Sequence, residues 1–289
     1  MANDLSFIKK LNSFYTEKHN HIIQLYNGER ISKEQRSLIS LRYKRITKAI
    51  NTEFWDSTSE TDHSFYVGSY GRGTAITTSD IDMLVELPKT EYERYDIIKG
   101  NGQSRLLQAI KGAIMQAYPR SNIRADGQVV VIDFSDGIKF EVLPAFKHTD
   151  WYGRWNGEYD YPDTHMGGNW MTTNPKAEQE AMRQRNIESN GLLFDTCKHI
   201  REIRDTHFSS YILPGIVIDS FAYHYIGDWH WLRDGEESSN QPRGTYEKRL
   251  CSSCSPYGLF LTAPGSGMKV NTIDCIETLR KVLNYMSKE

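Results

Sequence analysis

The stretch Val67–Val85, VGSYGRGTAITTSDIDMLV, is the most informative part of this sequence about the fold and the functional site. Its second half reads as a strand, yet Asp80 and Asp82 stand inside an otherwise apolar run. Residues i and i+2 of a strand point to the same face, so these carboxylates lie side by side, about 6.5 to 7 Å apart along the strand. Each carboxylate disfavours the ionised form of the other, and packing of an apolar strand does not require either of them. The pattern therefore indicates a functional site.

A divalent cation between the two carboxylates would remove this repulsion, and hard oxygen ligands suit magnesium. The turn at Gly68 and Ser69, just upstream, can offer backbone N–H groups and a hydroxyl to a phosphate. Metal-binding carboxylates beside a phosphate cradle predict chemistry on a nucleotide.

The composition is that of an ordinary globular protein of one large domain or two lobes: 289 residues, 38% hydrophobic and 25% charged. A net charge of −2 does not support constitutive nucleic-acid binding, which usually requires a basic domain. The N-terminus has no signal-peptide core and no window matches a membrane span, so we expect a cytoplasmic protein without membrane contact. Cys251 and Cys254 form a lone C-x-x-C without a second ligand pair, which favours reduced thiols over a zinc site.

Two helices are predicted at the start of the chain. Apolar residues recur at helical spacing over residues 4–26, and Ser32 with Gln35 forms a capping box that opens a second helix. Residues 1–50 hold ten basic and four acidic side chains, a net charge of +6. We interpret this as a solvated helix face. The alternative is a surface for a regulatory ligand or protein.

A third carboxylate follows in the segment KFEVLPAF, where Glu141 stands among apolar residues of an alternating strand. The turn Ser135-Asp136-Gly137 predicts a hairpin between strands 129–134 and 138–146, in which Asp133 and Asp136 are outward or turn residues rather than ligands. A charge in an apolar setting is costly unless it is paired or binds a metal. If the Glu141 strand lies beside the Asp80 strand, three carboxylates converge as in a two-metal site.

The second half of the chain is predicted to be mostly helical. Residues 147–175 read as an irregular, aromatic-rich connection of the kind that forms binding loops or lids. Beyond it we predict a helix from Asn174-Pro175 to about His207, a buried helix over 214–227, a polar loop over 234–255 and a terminal helix over 272–287. The predicted domains are residues 1–150, with the N-terminal helices, and residues 151–289.

The motifs G-S-Y-(x)3-T-A-I-(x)2-S-D-I-D and F-E-V-L-P-A-F resemble those of the DNA polymerase β-type nucleotidyltransferases. Within that group the chain resembles the bacterial CD-NTases, relatives of oligoadenylate synthase and cyclic GMP–AMP synthase. The resemblance is strongest over residues 64–146. It implies an α+β fold, with a polymerase β-like core, N-terminal helices, a helical C-terminal lobe and an active site in the cleft between the lobes.

The resemblance also implies roles for individual residues. Asp80, Asp82 and Glu141 would bind two Mg²⁺ ions, with Mn²⁺ as an alternative. Gly68 and Ser69 would hold the donor triphosphate. The family also uses a lysine on the first helix of the second lobe; at that place this chain has Arg201, with Lys198 as its rival.

The implied activity is the condensation of NTPs into a short, cyclic oligonucleotide with release of pyrophosphate. Such a product would act as a second messenger on a downstream effector in antiphage defence. Two alternatives stay open: a nucleotidyltransferase that modifies a protein, an RNA or a small molecule, and a non-catalytic nucleotide-binding protein on the same fold.

Overall fold

The computed structural model describes residues 31–236, 242, 244–255 and 258–288. They form two compact units. The first, here called the sheet unit, comprises Ile31–Gly73 and Ser79–Gln179. The second, the helical unit, comprises Thr74–Thr78 and the described part of Glu180–Glu289. The predicted helix over residues 4–26 lies outside the described residues.

The sheet unit contains seven strands and four complete helices among its described residues. The strands are β1 Ser64–Tyr66, β2 Ile81–Glu86, β3 Asn122–Asp126, β4 Val129–Asp133, β5 Lys139–Thr149, β6 Trp155–Asp163 and β7 Asn169–Thr173. The helices are α1 Lys33–Phe54, α2 Gly68–Arg72, α3 Lys89–Asp96 and α4 Gly102–Ala117. A single 3₁₀ turn spans His165–Gly167.

The sheet runs in the order β1-β2-β5-β4-β3, and β6 and β7 extend it from the far end of β5. Only β2 and β5 are parallel; the other neighbours are antiparallel. Helices α1 and α4 cover one face, where Ile46 and Ile110 pack into the same core as Met83 and Val142. Burial of this apolar face holds the two central strands in register.

Helix α1 begins as the sequence predicts. The Ser32 hydroxyl accepts from the Gln35 N–H, and the Gln35 side chain accepts from the Ser32 N–H. Arg42 crosses from α1 to the β4–β5 turn, where it donates to both oxygens of Asp136 and lies over the Phe134 ring. The predicted hairpin and the turn role of Asp136 are therefore confirmed.

The aromatic-rich connection is not irregular. Residues 147–175 contain the end of β5 and all of β6 and β7, so their backbone groups are paired in the sheet. The prediction of a loop or lid was wrong because cross-strand pairs such as Tyr159 with Lys147 do not show as a simple apolar alternation. As a result the sheet unit extends to Gln179, beyond the predicted limit at residue 150.

The helical unit is built around helices that share one apolar core. Their bounds are α5 Pro175–Glu188, which begins before the limit of the unit, α6 Leu192–His207, α7 Gly215–Tyr225, α8 Thr245–Ser253 and α9 Ile276–Met286. Two short strands, β8 Leu261–Thr262 and β9 Lys269–Val270, pair antiparallel. The core is dominated by side chains from α6, α7 and α9, for example Ile200, Phe221 and Val282.

Two predictions for this half need correction. The long helix predicted from 174 to 207 is divided into α5 and α6, because Asn190 and Gly191 adopt positive φ of 51° and 94°, which end an α-helix. The polar segment 234–255 includes α8, whose Leu250 is fully buried. The buried helix over 214–227 and the terminal helix are confirmed as α7 and α9.

Within the described part of the chain, no helix is both long enough and apolar enough to cross a membrane.

Candidate active site

The central feature of the sheet unit is the pairing of β2 with β5. In this parallel ladder Asp82 stands directly opposite Glu141. Neighbouring strands lie about 4.8 Å apart and paired residues share a face, so the two carboxylates are adjacent. Asp80 precedes β2 by one residue and belongs to the same face as Asp82. The structure therefore confirms that the strand of Glu141 lies beside the strand of Asp82, and it brings the three predicted carboxylates together.

The environment of Asp82 disfavours its negative charge. Burial, together with repulsion from the neighbouring carboxylates Glu141 and Asp80, raises the pKa of Asp82 to about 7, against smaller opposing effects of Arg72 and Lys139. A carboxyl group in this setting gains much from a cation.

The turn after β1 lies against this carboxyl group. The Val67 N–H donates to the Asp82 carbonyl at 2.9 Å, which fixes the turn to β2. Gly68 has a φ of +58°, and a Cβ added there would lie 2.5 Å from Cγ and 2.8 Å from Cβ of Asp82. Only glycine therefore fits at this position, because any side chain would strike the candidate metal ligand.

Ser69 lies in the first turn of α2, directly after Gly68. At the end of α2, the Arg72 guanidinium donates to Glu178 at 3.0 Å, and both side chains are buried. Gln179 donates to the Tyr66 carbonyl at 2.7 Å. The start of α5 is thus hydrogen-bonded to residues on both sides of the turn at Gly68 and Ser69. The sequence does not reveal these contacts, because the partners are more than a hundred residues apart.

A fourth charged side chain belongs to the cluster. The Lys139 ammonium donates to Asp80 Oδ2 at 2.9 Å and lies 2.7 Å from Glu141 Oε1. Burial lowers the pKa of Lys139, but its hydrogen bonds to Glu141 and Asp80 outweigh this effect and raise the pKa above its usual value. We did not predict a role for Lys139, although its spacing of two from Glu141 on one strand is the signal that places both on one face.

The donor set fits a divalent cation. Asp80, Asp82 and Glu141 converge at two adjacent strands, and burial with carboxylate repulsion disfavours the charge of Asp82, which a cation would favour. Among the described residues, no three His, Cys, Asp or Glu side chains are already arranged to enclose a metal ion. Two of the carboxylates of this cluster are instead turned to Lys139.

The candidate triphosphate residues of the helical unit differ in exposure. Arg201 on α6 is 1% exposed; it donates to both oxygens of Asp219 at 2.6 and 2.9 Å and to the Gly215 carbonyl. Thr74 donates to the same carboxylate. Arg201 is thus part of a buried structural ion pair, which corrects its expected place at a triphosphate. Lys198, one turn earlier, is half-buried, with its ammonium 5.9 Å from the Phe194 ring centroid.

The basic face of α1 is partly used inside the sheet unit. Arg42 and Lys48 form ion pairs with Asp136 and Glu60, and Arg45 lies over the Tyr118 ring. These contacts support the interpretation as an ordinary charged helix face for part of the +6 segment. Most of the remainder of that segment lies outside the described residues.

Cys251 is half-buried, while Cys197, Cys254 and Cys275 are buried, and all four are free thiols. Burial raises the pKa of Cys254 to about 11.

Comparison with known structures agrees with this architecture. At 14% identity and a TM-score of 0.61, the Elizabethkingia meningoseptica CdnE cyclic dinucleotide synthase matches over 91% of this chain and 97% of its own. The Rhodothermus marinus CdnE c-UMP-AMP synthase matches at 13% identity and a TM-score of 0.58, over 93% and 94%. The Escherichia coli MS115-1 CdnC, solved with HORMA, matches at 13% and 0.54, over 82% and 69%. These likenesses establish a polymerase β-like CD-NTase fold.

No curated protein matches the chain by sequence. A family model does: the Second Messenger Oligonucleotide or Dinucleotide Synthetase domain, SMODS, matches residues 19–186, more than half of the chain. This range includes both strands that carry the three carboxylates. The chain therefore belongs to the SMODS family and is a nucleotidyltransferase of the bacterial CD-NTase type.

Proposed function

We propose that this protein condenses NTPs into a short cyclic oligonucleotide in a metal-dependent reaction that releases pyrophosphate. The observation that carries the proposal is the direct pairing of Asp82 with Glu141 on parallel strands, with Asp80 on the same face. A chain that only bound nucleotides would have no need to hold three carboxylates together at such electrostatic cost.

In the proposed reaction, a hydroxyl of one nucleotide loses its proton to solvent and its oxygen bonds to the α-phosphorus of another. The bond from that phosphorus to the oxygen between the α- and β-phosphates breaks, and pyrophosphate leaves with that oxygen. Asp80, Asp82 and Glu141 would hold two divalent cations. When bound, such cations lower the pKa of the attacking hydroxyl and stabilise the leaving oxygen. The carboxylates of this chain fix the position of that charge, and catalysis then consists largely of alignment and charge neutralisation.

The donor triphosphate is proposed to lie at the turn of Gly68 and Ser69. The absence of a side chain at Gly68 lets the backbone approach Asp82, so phosphate and metal ligands can be close together. The Ser69 hydroxyl and the backbone N–H groups would donate to phosphate oxygens. Lys198 is the proposed second cation for the triphosphate, since Arg201 is committed to Asp219. An ammonium on a flexible stem suits that task.

Mg²⁺ is the proposed metal, with Mn²⁺ as a substitute, because all three ligands are hard oxygen donors. The cyclic product would serve as a second messenger that activates an effector in antiphage defence. Regulation by a ligand or protein at the basic N-terminal helices is a further part of the proposal. The solved complex of the similar CdnC with HORMA shows that a chain of this fold assembles with another protein.

Purified protein incubated with four radiolabelled NTPs and Mg²⁺ tests the proposal. We expect a small labelled product that resists phosphatase, because a cyclic oligonucleotide has no terminal phosphate. Asp82→Asn is the inactive control.

Label transferred to a protein, an RNA or a small molecule would replace the proposal with the first alternative. If neither NTP consumption nor pyrophosphate is detected with Mg²⁺ or Mn²⁺, with or without cell extract as a source of activator, the non-catalytic alternative holds.

A further inference from the structure

The carboxylate cluster contains its own cation. The Lys139 ammonium bridges Asp80 Oδ2 at 2.9 Å and Glu141 Oε1 at 2.7 Å. The Lys139, Glu141 and Asp80 side chains are 28%, 27% and 44% exposed, so the cluster is only partly shielded from solvent. One ammonium shared by two carboxylates is a stronger arrangement than a single exposed ion pair.

The position of this lysine follows from the backbone. Lys139 is the first residue of β5 and lies two residues before Glu141, so the two side chains leave the same face of one strand. Phe140, between them, is fully buried on the opposite face. The strand cannot slip by one residue without exposing that ring, so the register that presents Glu141 to Asp82 also presents Lys139 to the cluster.

We propose that Lys139 is a resident counter-cation of the metal site, which a divalent metal ion must displace when it binds. This inference rests on the proposed function, since it assumes that the carboxylates bind metal. Without metal, the ammonium offsets part of the negative charge of Asp80 and Glu141 and holds them in place. A metal ion needs oxygens of the same two carboxylates, and it repels the ammonium. Lys139 therefore stabilises the metal-free protein and weakens metal binding.

The chain offers a matched comparison. Lys147 lies on the same strand and forms an equally short ion pair, 2.7 Å to Glu86, which is not one of the three carboxylates. Removal of either lysine deletes one positive charge from β5; the change at Lys139 breaks two ion pairs and the change at Lys147 breaks one. Only removal of Lys139 should change the metal site.

The test uses the full-length protein without nucleotide, so that metal binding is measured apart from catalysis. Mn²⁺ affinity is determined by isothermal titration or by the electron paramagnetic resonance signal of free Mn²⁺. We compare wild type, Lys139→Gln, Lys147→Gln and Asp82→Asn. Even if the displaced Lys139 ammonium moves to about 8 Å from the bound Mn²⁺, their repulsion at the dielectric constant of water is about 1 kcal/mol. This repulsion raises the Kd for Mn²⁺ about fivefold.

We therefore expect Lys139→Gln to bind Mn²⁺ at least about fivefold more tightly than wild type, whereas Lys147→Gln stays within about twofold. Thermal melting adds an independent readout. Without metal, Lys139→Gln should melt at a lower temperature than wild type. Mn²⁺ should raise the melting temperature of Lys139→Gln by more than it raises that of wild type.

The possible failures are distinguishable. Equal or weaker Mn²⁺ binding by Lys139→Gln, while wild type binds and Asp82→Asn does not, overturns the inference about Lys139 and leaves the proposed metal site intact. Absence of Mn²⁺ binding in wild type itself overturns both.

Discussion

Gly68→Ala probes the contact on which the candidate site depends. The new Cβ would lie 2.5 Å from Cγ and 2.8 Å from Cβ of Asp82. Carbon atoms in contact prefer about 3.5 to 4.0 Å, so the Asp82 carboxyl carbon must retreat by about 1 Å. The Asp82 Cβ is tied to its backbone, so rotation of the side chain cannot remove the overlap and β2 or the turn must shift.

A displacement of about 1 Å at a catalytic position costs about 100-fold in rate, or about 2.7 kcal/mol of barrier. A left-handed alanine adds about 1 to 2 kcal/mol of backbone strain, which lowers stability without itself changing the site. Gly100→Ala separates the two effects. Gly100 also has a positive φ, +85°, but a Cβ there meets no atom within 4 Å.

The assay is NTP-dependent pyrophosphate release, measured beside the unfolding free energy of each variant. Both variants should lose about 1 to 2 kcal/mol of stability to backbone strain, and Gly68→Ala should lose more because of its overlap with Asp82. Only Gly68→Ala should lose about 100-fold in activity and bind Mn²⁺ more weakly. Activity of Gly68→Ala within about threefold of wild type would refute the role of this close contact.

The remaining predictions concern individual side chains. Asp82→Asn should lower the rate at least about a thousandfold, about 4 kcal/mol, and a wild-type product yield would contradict the metal role. The pKa of Asp82 is raised to about 7 in the folded, metal-free protein, above an unfolded value near 4. Between about pH 4 and pH 7 Asp82 is therefore protonated in the folded state but ionised in the unfolded state. The unfolding free energy of the metal-free protein should therefore fall by up to a few kcal/mol as pH rises from about 4 to about 7, and a flat urea-denaturation profile would refute this. Arg201→Gln should cost about 3 to 5 kcal/mol of stability, because it removes the partner of a buried carboxylate. Lys198→Gln should cost less than about 1 kcal/mol but raise the KM for NTP, and the reverse order of stability in denaturation would contradict the structural role of Arg201. At pH 8, iodoacetamide should label half-buried Cys251 before Cys254, whose pKa is raised to about 11 by burial, and peptide mass spectrometry showing the opposite order would contradict the described burial.

The sequence reveals the candidate metal ligands because they break a local rule. A carboxylate in an apolar strand is costly, so Asp80, Asp82 and Glu141 stand out without any knowledge of the fold. The capping box at Ser32 and the turn at Gly137 are likewise local signals, and both are found in the structure. Such features are predictable because each depends on residues a few positions apart.

Features that depend on distant pairing were missed or misplaced. Strand β6 pairs with the end of β5 and with β7. Its extended structure therefore depends on hydrogen bonds to these neighbouring strands, and its own pattern of apolar and polar residues does not predict it. The family resemblance placed Arg201 at the triphosphate, but its partner Asp219 is 18 residues away and takes up the guanidinium. Lys139 was visible in the sequence, yet only the register of β2 against β5 shows that it meets the carboxylates.

We propose that Asp80, Asp82 and Glu141, at two adjacent strands, form one catalytic metal site. The most direct test of this proposal is pyrophosphate release from NTPs at saturating Mg²⁺ by wild type and by Glu141→Gln, with both proteins shown to be folded by thermal melting. We expect one pyrophosphate for each phosphodiester bond in the wild-type product and a rate at least about a thousandfold lower for Glu141→Gln. A folded Glu141→Gln that releases pyrophosphate at the wild-type rate would contradict the proposal.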